Sequence, residues 1–181
     1  MDGLKKSDLD LLAKNDIWLE GKVNGTMVEK IFKSLFILRG RGSPDITLYI
    51  TSPGGSTLAG LHIHDAIELY AKEASVKGVV HGRAASMASV ILQACTTRIA
   101  SKHSEILIHH LIQDNVSLDV LRNKKKLDKL IADGEETQAK LDAILISRTG
   151  KSAKQVAAQC KRDEYLVASK ALAFGLIDSI E

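Results

Sequence analysis

The sequence has few aromatic residues and no cysteine pattern that would indicate a special structural class. Only 4% of its 181 residues are Phe, Trp or Tyr, so aliphatic side chains must supply most of the core. The two cysteines, Cys95 and Cys160, lie far apart and form no CxxC pair, so neither a disulfide framework nor a zinc knuckle is indicated. We expect both cysteines to be small buried hydrophobic residues.

Long apolar runs and a strong excess of one charge are absent as well. No apolar run approaches the roughly 18 to 20 residues that a membrane span requires, and the charged start MDGLKKSDLD is unlike a signal peptide. We therefore expect a cytoplasmic protein with no membrane partner. The formal net charge is only +3, with acids among the bases, and aromatic stacking platforms are few. Nucleic-acid binding is not expected on these grounds.

The composition that remains is typical of one globular domain, which we assign to residues 1–181. Hydrophobic residues make up 45% of the chain and charged residues 26%. Strand patterns alternate with helical periodicity, which predicts an α/β fold of repeated strand–helix units. Strands are predicted at 18–23, 45–50, 76–82, 105–110 and in a final LIDSI segment, and helices begin near Thr26, Thr57, Ser86 and Ser152.

A long helical pattern follows the last of the central strands. It covers 118–147 within a predicted arm of about 116–148, with Gly134 as an interruption. Its apolar side chains fall on two separate stripes, which are Leu127, Leu130 and Ile131, and then Leu141, Ile144 and Leu145. A core of this size cannot bury both stripes, so we expect the helix to project and a partner to cover part of it.

The stretch HGRAASMAS places Ser86 among very small side chains at the start of a helix. Small residues serve either close backbone packing or a reactive hydroxyl that needs room for a substrate. A serine becomes a nucleophile when an imidazole accepts its proton and a carboxylate orients that imidazole. His109 and Asp163 could supply these groups. The backbone N–H groups of Gly55 and Met87 could form an oxyanion hole.

Five short motifs occur in a single order along the chain, namely SPGG, AASM, IHH, RD and ALAFGLID. This series resembles the Clp protease proteolytic subunit (ClpP) family, whose pattern runs SPGG, AASM, MIHQP, RD and AxxxGLID, and the likeness extends from about residue 17 to 181. The resemblance implies a ClpP/crotonase-like α/β fold with a projecting handle helix. It assigns the nucleophile to Ser86, the base to His109, the acid to Asp163 and the oxyanion donors to Gly55 and Met87.

The resemblance also implies a function and an assembly. The expected activity is that of a serine endopeptidase cleaving unfolded polypeptides or peptides through an acyl-enzyme, with no metal or organic cofactor. The expected assembly is a homo-oligomeric ring of seven subunits that encloses the active sites. The segment after His109 lacks the family's proline and glycines, so a single heptamer remains open beside a stacked tetradecamer. The short lead before the first strand makes gating by an axial loop doubtful.

The family docks an AAA+ Clp ATPase in an apolar pocket lined by aromatic residues. The corresponding positions are Thr47, Tyr49, Leu69 and Ile99, of which only one is aromatic. Rigid aromatic side chains commonly dominate such anchor sites. The sequence therefore predicts that docking of such an ATPase is weak or altered.

The remaining histidines have less support as functional groups. His62 and His64 are two residues apart on a helix and point to different faces, so a shared metal site is not expected. Strand alternation would place His110 opposite His109. His81 and His103 have no triad-like context.

Two alternative functions stay open at this point. The chain could be a non-catalytic ring subunit or scaffold that assists an active paralogue, although the complete set of triad residues disfavours this. It could also be an acyl-CoA enzyme of the crotonase fold, which uses paired backbone N–H groups and does not require a serine, histidine and aspartate together.

Overall fold

A mainly parallel sheet forms the centre of the protein in the computed structural model, which describes residues 4–181. Its strands are β1 (Asp16–Glu20), β2 (Ile46–Ser52), β3 (Val76–Ala85), β4 (Thr97–Ala100), β5 (Glu105–Leu107), β6 (Leu166–Val167) and β7 (Ser179–Ile180). The main path has the order β1-β2-β3-β4-β7, with every neighbour parallel. The α/β architecture confirms the predicted fold class.

The sheet divides at β3. The first half of this strand pairs with β4, whereas its last three residues, 83–85, pair in parallel with β5. The short strand β6 then pairs antiparallel with β5. Gly82, with a φ of +77°, lies between the two halves of β3, where the backbone leaves the regular register. The carboxyl end of β3 is thereby directed toward β5 and β6.

The helices are α1 (Lys6–Leu12), α2 (Gly25–Arg39), α3 (Thr57–Tyr70), α4 (Met87–Leu92), α5 (Leu118–Arg122), α6 (Lys124–Thr149), α7 (Ala153–Arg162) and α8 (Ala168–Phe174). Local capping explains where the sequence prediction was wrong. The cap of α2 is Asn24 rather than Thr26, because the Asn24 side chain accepts a hydrogen bond from the Met27 N–H at 3.0 Å. Gly134 lies within α6, and the helical segment instead breaks at Asn123, whose side chain caps α6.

The core lies between the sheet and α2, α3 and α4 and is almost entirely aliphatic. Gly78 on β3 allows α4 to approach the sheet, since a Cβ there would lie 2.9 Å from the Cδ1 of Leu92, the last residue of α4. Both cysteines are free and buried, as predicted. Burial raises the pKa of the Cys95 thiol to about 12 and that of Cys160 to about 11, so neither is a reactive thiolate at neutral pH.

Helix α6 projects from this core. Its only buried residues are Leu141 and Leu145, near its C-terminal end. Ile131, on the other predicted stripe, is 50% exposed. Leu118 and Leu121 of α5 are exposed as well, to 65% and 51%. Within residues 4–181, none of the helices is both long enough and apolar enough to cross a membrane.

One buried charge connects the C-terminal part of the chain to the sheet. Arg98 of β4 is only 6% exposed, and its guanidinium donates to the Asp178 carboxylate and to the Gln93 side chain. It also donates to the carbonyl oxygens of Gly175 (2.9 Å) and Arg148 (3.2 Å). Burial raises the pKa of Asp178, but the hydrogen bonds and charge of Arg98 lower it more, so that the pKa lies below its usual value.

We predict that Asp178→Asn destabilises the protein by about 1.5 to 3 kcal/mol at pH 7, the usual range for a hydrogen bond to a charged group. The substitution leaves the buried Arg98 without its counter-charge. The folded-state pKa of Asp178 is lowered. The difference in the free energy of unfolding between wild type and Asp178→Asn should therefore be complete above about pH 4 and vanish as the pH falls through the folded pKa. Urea unfolding of both proteins at one protein concentration measures this difference in stability. Asp119→Asn is the control, because Asp119 belongs to an exposed ion pair with Lys126 that contributes little to stability. Equal effects of the two substitutions would contradict the role given to Arg98.

Candidate active site

Ser86 occupies a strained turn between β3 and α4. Its φ of 55° and ψ of −127° are unusual for a residue with a side chain, and such a conformation typically costs about 1 to 3 kcal/mol. The Ser86 N–H donates to the Leu107 carbonyl at 2.9 Å, and the Ser89 hydroxyl donates to the Ser86 carbonyl at 2.6 Å. The surrounding backbone therefore holds this turn on both sides. A strained strand-to-helix turn is the arrangement that exposes a nucleophilic serine.

Two glycines explain why the neighbourhood of Ser86 requires small residues. Gly54 has a φ of +86°, and a Cβ there would lie 2.6 Å from both the Ser86 Cβ and the Ala85 carbonyl oxygen. Gly60 of α3 packs against Met87, since a Cβ there would lie 2.9 Å from the Met87 Cβ. Close packing and room for a reactive hydroxyl thus have the same cause. The sequence indicated that the SPGG glycines free the backbone, but it did not predict that Gly54 contacts Ser86 or that Gly60 packs against Met87.

The two predicted oxyanion donors, Gly55 and Met87, line one cavity. The Val23 N–H donates to the Gly54 carbonyl, and the Ser56 N–H donates to the Val23 carbonyl, both at 2.9 Å. These two hydrogen bonds involve the residues before and after Gly55 but not Gly55 itself, and its N–H has no acceptor among the described residues. Met87 is the first residue of α4, where a helix leaves its N–H groups without an intrahelical acceptor.

His109 lies in the same cavity as Ser86, Gly55 and Met87, whose volume is about 210 Å³. Its Nδ1 is 2.6 Å from the His110 carbonyl oxygen, so the Nδ1–H donates to the backbone. In the neutral ring this leaves Nε2 as the acceptor, which is the nitrogen that a serine triad uses as base. Four of the five predicted catalytic residues are therefore together in this cavity.

The structure does not bring Asp163 into the cavity. Asp163 is exposed at the C-terminal end of α7 in the left-handed conformation, with a φ of 50°. Among residues 4–181, no hydrogen bond joins Ser86, His109 and Asp163 to one another. The antiparallel pair β5·β6 matches Glu105 with Val167 and Ile106 with Leu166, and the ladder ends there. Continuing the same register by three residue pairs would bring His109 opposite Asp163.

Apolar side chains line most of the remaining cavity wall, with Val90, Ile108, Leu141 and Leu145 among them. His110 also lines the cavity. The prediction that it lies opposite His109 was wrong because β5 ends at Leu107, after which strand alternation no longer applies.

The predicted ATPase-docking residues lie in two places. Thr47 and Tyr49 of β2 and Ile99 of β4 are on the sheet face away from α2 and α3, where Tyr49 stacks on His81 with ring centroids 5.5 Å apart. Leu69 is on α3, on the other side of the sheet, and is 49% exposed. A single chain therefore brings three of these four positions together.

Trp18 adds a second aromatic residue to this sheet face. Its ring lies 5.9 Å from that of Tyr49, with which it pairs across β1 and β2. The sequence prediction counted Tyr49 alone, because the cross-strand pairing is not visible in the separate motifs.

Comparisons with known proteins agree with this geometry. The family model described as Clp protease matches residues 4–181. The ATP-dependent Clp protease proteolytic subunit of Ligilactobacillus salivarius (strain UCC118) is 33% identical over 182 residues, covering 94% of this chain and 84% of the relative. ATP-dependent Clp protease proteolytic subunit 3 of Rhodococcus jostii (strain RHA1) is 32% identical over 175 residues, covering 94% and 82%.

These matches confirm the resemblance that the motif series indicated, and they extend over almost the entire chain. No finding favours a scaffold subunit or an acyl-CoA enzyme. The chain belongs to the Clp protease family of serine endopeptidases.

Proposed function

We propose that Ser86, His109 and Asp163 form the catalytic triad of this serine endopeptidase. One observation carries the proposal. Strand β5 lies between β3 and β6, with Ser86 directly after β3, His109 shortly after β5 and Asp163 shortly before β6. This strand order supports the proposal, because a triad requires the imidazole between the hydroxyl and the carboxylate.

The cavity supports acylation by Ser86. As the Oγ attacks a peptide carbonyl carbon, His109 Nε2 accepts the hydroxyl proton. The carbonyl oxygen gains negative charge between the N–H groups of Gly55 and Met87. Collapse of this intermediate breaks the peptide C–N bond, and the leaving amine takes the proton from His109. A water molecule then hydrolyses the acyl-enzyme by the same steps in reverse.

Asp163 supplies what a backbone carbonyl cannot. The His110 carbonyl can fix the His109 tautomer, but it carries no full charge to stabilise the imidazolium that forms during acylation. Continuing the β5·β6 ladder by three residue pairs would place Asp163 directly across from His109, at the roughly 4.5 to 5.5 Å between Cβ atoms that is typical of opposed strand residues. We propose that the active enzyme has this extended pairing.

The substrates and assembly follow from the family at a coarser level. The family forms oligomeric rings that degrade polypeptides, and we propose unfolded chains or peptides as substrates and a ring of seven subunits, single or stacked. The exposed apolar residues of α5 and α6 fit a neighbour's surface. Both relatives are named as ATP-dependent. We propose a Clp-type ATPase partner with weak or altered docking, and the cytoplasmic location stays a prediction.

Replacing the nucleophile tests the proposal. We expect Ser86→Ala to lower kcat for a fluorogenic peptide to the background of the assay, since loss of a triad serine can cost about six orders of magnitude. Ser147→Ala, at an exposed serine on α6, is the control and should retain wild-type turnover. Hydrolysis by the Ser86→Ala protein above the level of a blank preparation would overturn the assignment.

The weakest member of the triad needs its own experiment. Asp163→Asn should reduce kcat by about four orders of magnitude, because an amide favours the wrong imidazole tautomer. Glu164→Gln removes the adjacent exposed carboxylate and should change kcat little. Steady-state kinetics on both variants decide the matter, and near-normal turnover in Asp163→Asn would show that the His110 carbonyl is sufficient.

A glycine pair tests the steric requirement at the nucleophile. Gly54→Ala places a methyl group against Ser86 and should cost about 100-fold or more in kcat, as expected for a displacement of about 1 Å at a reacting group. Gly42 has a similar φ of +90° but nothing within 4 Å of the added Cβ. Gly42→Ala therefore introduces comparable backbone strain without the collision. Equal losses of kcat in both variants would attribute the effect to general destabilisation.

A further inference from the structure

Three side chains with metal-ligating atoms meet on α3, apart from the catalytic cavity. They are His64, Asp65 and Glu68, and one potential ligand atom from each lies within 4.8 Å of the other two. Residues three and four apart are neighbours on a helix surface, so Glu68 lies beside both His64 and Asp65. The triad, the oxyanion donors and the cavity make no use of these residues.

The contact between His64 and Asp65 is a poor hydrogen bond. The side chain of His64 is only 7% exposed, yet its one polar contact within the described chain is 3.4 Å, from Nδ1 to the Asp65 Oδ1. Hydrogen bonds from N–H to oxygen are usually about 2.7 to 3.2 Å long. By contrast, two ligands bound tetrahedrally at about 2.1 Å to one ion are about 3.4 Å apart. The observed spacing therefore suits two ligands of the same ion.

The charge and exposure of the two acids also suit a cation. The Asp65 side chain is 76% exposed and Glu68 is exposed, so an ion and its water ligands can reach them. In the part of the chain that the structure describes, neither carboxylate forms an ion pair with a lysine or arginine. Arg148 is close enough to interact with the charge of Glu68, but no ion pair or hydrogen bond joins them. Two carboxylates that form no lysine or arginine ion pair within residues 4–181, beside a buried imidazole, favour a divalent ion.

We propose that His64, Asp65 and Glu68 bind a Zn²⁺-like divalent transition-metal ion, with water in the remaining coordination position. One imidazole and two carboxylates form a ligand set that Zn²⁺ accepts. His62, on another face of α3, is not part of this set. The bound ion would have a structural role and take no part in peptide hydrolysis, because none of its ligands lines the catalytic cavity. It would stabilise the helix that follows the SPGG turn.

Cobalt provides a direct test, because Co²⁺ substitutes for Zn²⁺ and absorbs visible light when ligated. Untagged full-length protein titrated with Co²⁺ should develop a d–d band that saturates at one ion per chain and disappears when Zn²⁺ is added. Zn²⁺ should also raise the thermal midpoint in a concentration-dependent way, since it binds the folded chain preferentially. Absence of a saturable band with the wild-type protein would overturn the proposal.

Single substitutions identify the ligands. Loss of a residue that merely hydrogen-bonds to a metal ligand typically lowers metal affinity by about 10- to 100-fold. Loss of a direct ligand should therefore lower it at least as much. Glu68→Gln and Asp65→Asn change exposed groups and keep the test valid even if His64→Ala fails to fold. His62→Ala, which also removes one histidine from α3, should retain wild-type affinity. Unchanged affinity in Glu68→Gln, or an equal loss in His62→Ala, would contradict the site.

Discussion

The close approach of three backbone segments around Ser86 is the constraint on which the rest of the structure depends. The end of β3, the SPGG turn and the start of α4 meet at distances that only Gly54 allows. The resulting turn is strained, and hydrogen bonds to Leu107 and Ser89 hold it. Because the same contacts place the Gly55 and Met87 N–H groups on one cavity, the local packing also determines where an oxyanion can be stabilised.

The division of the sheet at β3 connects this turn to the remaining catalytic groups. If β3 ended within the main sheet, Ser86 would face β4 rather than β5. The irregular register around Gly82 instead directs the strand end toward β5 and, through β5, toward β6. His109 thus follows the middle strand of a small three-stranded extension, and three further residue pairs in the β5·β6 register would bring it opposite Asp163.

The sequence predicted best the features whose physical causes are local. Ser86, Met87 and Gly55 lie within short motifs, and their meeting needs only a strand, a turn and a helix. Asp163 could be assigned only through the family resemblance, because its relation to His109 depends on β6, a two-residue strand without periodicity. Errors arose where a competing local interaction prevailed, as when Asn24 capped α2 or when β5 ended before His110. The pairing of Trp18 with Tyr49 was missed for a similar reason, since cross-strand neighbours are distant in sequence.

The central claim is that Ser86 is a nucleophile activated within the cavity it shares with His109. Covalent labelling of the wild-type protein by a fluorophosphonate, followed by mass spectrometry of its peptides, tests this most directly. The account predicts one adduct per chain, located on Ser86, because Ser86 lines the cavity together with His109, Gly55 and Met87. The Ser89 hydroxyl in the same cavity instead donates to the Ser86 carbonyl, and Ser101, which contacts His81, is not part of the cavity lining. An unlabelled protein that still hydrolyses peptides, or an adduct on a different serine, would contradict it.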